Sequence, residues 1–139
     1  MHKFTVVTAY YELNTKYPTE TYLEWIRNFF FCTRNVNVIV FCDMNSKQYI
    51  LPYEAPNVRL VLRPISEWHF AKYDRLFRQN RDLFSREIPD DIRHQIDYRV
   101  NMLWCEKHCF VEEATKYYDS EWWAWCDIGY FRNTNKDLP

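Results

Sequence analysis

Two apolar runs in this chain each close on an aspartate: Val38-Ile39-Val40-Phe41-Cys42 before Asp43, and Trp122-Trp123-Ala124-Trp125-Cys126 before Asp127. A strand with one wet face alternates apolar and polar residues. A run without that alternation reads as a strand covered on both faces, as in a parallel sheet flanked by helices. Neither run tolerates a carboxylate at its centre, because desolvating an unpaired one costs several kcal/mol. Each aspartate is therefore expected where its strand emerges, at the carboxyl edge, where open α/β sheets bind their ligands. Two strands ending this way would bring both carboxylates into one crevice.

The remaining sequence alternates to match. Phe4 to Tyr10 is β-branched and aromatic, a first strand, followed by a polar loop from Tyr11 to Pro18. Tyr22, Leu23, Trp25, Ile26, Phe29 and Phe30 then recur at helical spacing behind Glu20, predicting a helix over Thr19 to Cys32. Val36 to Cys42 is the second strand, Met44 to Gln48 a turn or short helix, and Asn57 to Pro64 the third strand. Ile65 to Asp97 has weak helical periodicity and a break at Ile88-Pro89-Asp90-Asp91. From Asp90 or Asp91 a long helix carrying Val100, Leu103, Trp104, Phe110 and Ala114 is expected to run to about Tyr117 and deliver the chain to the tryptophan-rich strand. Strand, helix and strand in this order predict a doubly wound α/β fold, and 139 residues suit one domain.

A net charge of −1 with both signs interspersed argues against nucleic acid or an anionic membrane as partner, since both demand a basic face. No stretch reaches the roughly 20 apolar residues of a membrane span, so a soluble, cytoplasmic chain is expected. Five cysteines, an odd number lying in apolar runs or along a helix, suit a reducing compartment. Aromatics at 19% could supply sugar-stacking platforms, but core packing is their commoner use.

Gly129 is the only glycine, where average composition would supply about ten. Its position just past Asp127 suggests a backbone that needs positive φ or a ligand that must come close. Arg132 follows as a cation within one short loop, and Lys107 is a cation on the long helix. Cys105, His108 and Cys109 have ligand-like spacing on that helix but no second pair to complete a zinc site. Arg75, Arg78, Arg81, Arg86 and Arg93 read as a solvated helix surface, with an anion-binding face as the alternative.

Three features together resemble a GT-A type glycosyltransferase. They are the first strand Thr5-Val6-Val7-Thr8-Ala9-Tyr10, the strand end Val40-Phe41-Cys42-Asp43, and the passage from Trp104-Cys105-Glu106-Lys107 to Trp122-Trp123-Ala124-Trp125-Cys126-Asp127-Ile128-Gly129. The last is similar to a passage in plant galactosyl- and xylosyltransferases that leads into a metal-binding D-x-D. The opening Thr5-Val6-Val7-Thr8-Ala9-Tyr10-Tyr11, the Tyr22-Leu23-Glu24-Trp25 helix and Trp125-Cys126-Asp127-Ile128-Gly129-Tyr130-Phe131-Arg132 also resemble the HtrL/YibB group.

The resemblance implies a GT-A-like three-layer sandwich with a mostly parallel sheet, this chain being its N-terminal part and a fragment of a longer protein. It implies transfer of a sugar from a UDP- or GDP-type donor to a glycan acceptor. Thr8, Ala9, Tyr10 and Tyr11 would face the nucleotide, a tyrosine lying against the base. Asp43 would contact ribose or base, and Asp127 would hold Mn2+ or Mg2+ on the diphosphate. The second carboxylate of the motif is replaced by Gly129, so Lys107 or Arg132 would carry part of the phosphate charge. The catalytic base has no candidate. A non-catalytic carbohydrate-binding or interaction module on the same sheet is the other expectation, and a nuclease built on Asp43, Asp127 and Lys107 is disfavoured by the near-neutral charge.

Overall fold

A computed structural model gives the fold and describes residues 2–84 and 96–133. Strands β1 (His2–Tyr10), β2 (Asn37–Cys42), β3 (Val58–Leu62) and β4 (Ser120–Trp125) make one sheet in the order β3-β2-β1-β4. All three neighbouring pairs are parallel. Parallel neighbours require crossover connections, and helices α1 (Thr19–Cys32), α2 (Lys47–Ile50), α3 (Asp74–Phe84) and α4 (Arg99–Ala114) stand in the intervening segments. The protein is thus an α/β fold with a wholly parallel described sheet, compatible with a Rossmann-like layout. None of the described helices is long and apolar enough to cross a membrane.

The two faces of the sheet bury alternate residues of the same strands. Val6, Tyr10, Val38 and Val40 pack with Ile26, Phe29 and Phe30 of α1. Val7, Ala9, Ile39 and Phe41 pack with Met102, Phe110 and Ala114 of α4. Helix α1 can do this because its apolar residues recur at three and four. In α4 the buried positions Met102, Glu106, Phe110 and Ala114 recur every four, so one stripe faces the sheet. Phe41 and Phe110 are fully buried or nearly so, with ring centroids 4.7 Å apart. Each such ring contributes about 1.5–3 kcal/mol by leaving water.

Element boundaries differ from expectation in three places. The expected start of the long helix at Asp90 or Asp91, and the break at Ile88-Pro89-Asp90-Asp91, lie outside the described residues. Residues 96–98 are not helical, and α4 begins at Arg99, where the Asp97 carboxylate accepts its backbone N–H at 2.9 Å. It ends at Ala114 and not at Tyr117, closing in turns donated by Lys116 and Tyr117. Strand β4 was expected to be covered on both faces. It is an edge of the described sheet, and Trp122 is 62% exposed. Trp123 and Trp125 pack on the α4 side, whereas the core beneath α1 is built from β1 and β2, leaving Trp122 uncovered.

Candidate functional site

The chain leaves β1 toward β2 and β3 on one side and returns to β4 on the other. The strand order therefore reverses between β1 and β4, which makes the carboxyl end of that pair the switch point of the sheet. Asp127 stands there. Val7 pairs with Trp125 across the two strands, and Cys126 still donates to the Val7 carbonyl at 3.0 Å. By the two-residue period, Asp127 continues the Trp123 and Trp125 face toward α4. Its Oδ1 accepts from Lys107 Nζ at 2.7 Å and from the Trp125 indole N–H at 2.7 Å. The ammonium also lies 5.6 Å from a Trp125 ring centroid. Partial burial works to raise the Asp127 pKa, but the hydrogen bonds from Lys107 and Trp125, with the charges of Lys107 and Arg132, hold it below the usual carboxylate value. The side chain stays 58% exposed, so a charged carboxylate paired to an ammonium faces solvent at the switch point.

Asp43 reaches the same edge on the other flank. Tyr10 pairs with Cys42, so Asp43 follows at the level of residue 11, while Asp127 follows at the level of residue 9. Two strand spacings separate them laterally, about 10 Å. Asp43 is committed to its own turn: Oδ1 accepts from the Ser46 backbone N–H at 2.8 Å, and Ser46 Oγ accepts from the Glu12 N–H at 2.8 Å. The carboxylates thus share an edge but no partner. Between them runs a row of rings, with Phe110 stacked at 6.3 Å from Tyr11 and 6.0 Å from Trp125.

The tyrosines and the loop after Asp127 fall differently from expectation. Tyr10 and Tyr11 are 5% and 4% exposed, so their rings belong to the core and present no open face for a base. The Tyr11 hydroxyl donates to the Arg63 carbonyl at 2.7 Å. Thr8 and Ala9 are buried as well. Strand burial decides this, because β1, like β2, is covered on both faces with a neighbour on each side. Gly129 has no positive φ. Its constraint is a close approach, made by the protein itself: a Cβ would lie 2.9 Å from Trp25 Cε3. A carboxylate there would start into that ring on the α1 side, so position 129 cannot stand beside Asp127 as the second half of a D-x-D. Arg132 joins the same cluster, 4.3 Å over Trp25 and 5.2 Å over Tyr17, with Nε donating to the Gly129 carbonyl at 3.2 Å. It reaches Asp127 only as a nearby charge.

The described residues hold no group of three His, Cys, Asp or Glu side chains arranged for a metal. Asp127 offers one carboxylate, and its close charged partner is a cation, so these residues do not compose a metal site by themselves. Burial pushes the Cys42 thiol up to about 12 and the Cys126 thiol up to about 11, which removes both as nucleophiles near neutral pH. Two functional-looking side chains were not anticipated. Trp125 orients Asp127, a role signalled only by the i, i+2 spacing on a strand. Glu106, 4% exposed, accepts the His69 and Phe70 backbone N–H groups at 2.6 and 3.0 Å and ties the segment before α3 to α4.

Compared with known protein families, with curated proteins and with solved structures, the chain matches none. Fold and edge together define a class, an α/β protein with a parallel sheet whose switch point carries an exposed aspartate paired to a half-buried lysine.

Proposed function

We propose that the chain is a GT-A-like, nucleotide-sugar-binding domain of a glycosyltransferase, related to the HtrL/YibB group, and that the donor's diphosphate is met at the Asp127–Lys107 pair. The observation that carries this reading is an exposed Asp127 paired to a half-buried Lys107 at the β1–β4 switch point. A diphosphate competes with Asp127 for the ammonium, and the released carboxylate accepts from a donor hydroxyl. Stabilising charge on a leaving nucleotide is the electrostatic work such a site performs. Mn2+ or Mg2+ would take one protein carboxylate and draw its other ligands from phosphate and water, a shell Mg2+ commonly uses.

The test is calorimetric titration of UDP- and GDP-sugars, with and without Mn2+, into the wild type and Lys107→Met. Saturable binding of at least one donor, lost or strongly weakened in the variant, is expected. No heat with any donor, or equal affinity in the variant, overturns the reading. A second reading, a non-catalytic carbohydrate-binding or interaction module, is favoured by the exposed rings of Trp104, Trp122 and Tyr130 at 61%, 62% and 66%. Glycan-array binding that ignores nucleotides would select it.

A further inference from the structure

Away from the switch point, three guanidinium groups converge on a cavity of about 410 Å³, whose lining includes Asn14, Arg78, Arg81, Asp97, Tyr98 and Arg99. Arg78 and Arg81, one turn apart on α3, lie 5.3 and 5.5 Å from the Tyr98 ring centroid. Arg99 enters from the first residue of α4, where an acidic residue would suit the helix dipole and a cation does not. A fork onto Asp97 holds it there, with Nε at 3.0 and 3.1 Å from the two oxygens and Nη2 at 2.6 Å. The Asp97 N–H in turn donates to the Asn14 carbonyl at 2.7 Å, anchoring the wall to the loop after β1.

Arg99 is neutralised within the lining by Asp97, whose side chain is 15% exposed, whereas Arg78 and Arg81 are paired only with open carboxylates. Arg78 reaches Asp74 at 3.4 Å and Arg81 reaches Asp82 at 3.1 Å, through side chains 40–63% exposed. Pairs that open to water are worth little and exchange readily. Among the described residues, every hydrogen bond from these arginines leaves through Nε or Nη2. Toward the described residues, the Nη1 donors of these arginines are unspent. Two planar forks, those of Arg78 and Arg81, beside a third guanidinium held by Asp97, suit a tetrahedral oxyanion, which arginine binds bidentately. The volume suits a small molecule better than a polymer.

We propose that this pocket binds the phosphoryl group of a small phosphorylated ligand, at a site separate from the Asp127–Lys107 pair. Lys107 lies eight residues along α4 from Arg99, about 12 Å at 1.5 Å per residue, so the two sites do not share one phosphate. The experiment is amide chemical-shift mapping of the wild type titrated with inorganic phosphate and pyrophosphate, against chloride at matched ionic strength. It is repeated in the double variant Arg78→Gln/Arg81→Gln. Saturable shifts centred on residues 97–99 and on α3 are expected, with affinity reduced about tenfold or more in the variant. Shifts equal to those of chloride, or unchanged in the variant, overturn the proposal. Shifts confined to Lys107 and Asp127 also overturn it while favouring the nucleotide-sugar reading. The wild-type map decides the matter even where the variant does not fold.

Discussion

At the carboxyl edge the two faces of one sheet are finished in opposite ways. On the α4 side, acidic and basic side chains accumulate: Asp127 with Lys107, Arg63 with Glu113, and Glu106 on two backbone N–H groups. On the α1 side the same edge is closed by rings. Tyr17 and Tyr22 pack edge-on against Trp25 at 4.9 and 5.1 Å, Arg132 stacks over Trp25, and Gly129 leaves room for it. One strand feeds both. Residues 123 and 125 of β4 face α4, whereas Cys126 and Ile128 join the core under α1. Consecutive residues thus belong to a polar site on one side and to an aromatic seal on the other. The lesson is that a motif written as a short string can be split across a sheet, and its members then do not cooperate.

The largest effect that would break this contrast is expected at Glu106. Glu106→Ala leaves two N–H groups without their acceptor, costing about 3 kcal/mol, read as a lowered urea midpoint. A change below about 0.5 kcal/mol would mean the polar side is not held together as described.

Next comes Gly129→Asp, which writes the D-x-D string back into the chain. Because a Cβ there meets a ring held by Tyr17, Tyr22 and Arg132, it is expected to destabilise by about 1–3 kcal/mol and to create no Mn2+ affinity. A stable variant that binds Mn2+ would show that the two faces communicate at this turn. Smallest is the pH dependence of Asp127. Its folded pKa lies below the unfolded value, so its contribution is fully present above the ordinary carboxylate pKa, near 3.9, and is lost as pH falls through the folded value. Exposure limits it to about 0.5 kcal/mol or less. Lys107→Met should move the Asp127 titration upward, followed by carboxyl carbon shifts, and an unmoved titration would remove the pair from the site.

Much of the scaffold was readable because its signals are local. Helix α1 runs over Thr19–Cys32 as its apolar spacing indicates, and the β-branched runs mark β1, β2 and β3. The segment after β3 was harder. Its 3-10 turns are held in part by Glu106, 36 and 37 residues further along the chain, and such a contact leaves no periodicity. Of the arginines considered as an anion-binding face, Arg78 and Arg81 come together at the cavity, Arg75 is exposed, and Arg86 and Arg93 lie outside the described residues. Their partners Tyr98, just before α4, and Arg99, its first residue, come from a distant stretch of the chain, so no spacing could have named them.

Apolar runs ending in Asp43 and Asp127 determined, by themselves, that strands would deliver carboxylates to one edge of a parallel sheet, since burying an unpaired charge within either run costs too much. Tertiary structure alone decided what each carboxylate meets there. Asp127 meets a lysine on α4, Asp43 its own turn, and position 129 a tryptophan on α1. Strand order and side-chain parity choose among those neighbours, and both depend on how distant segments pack.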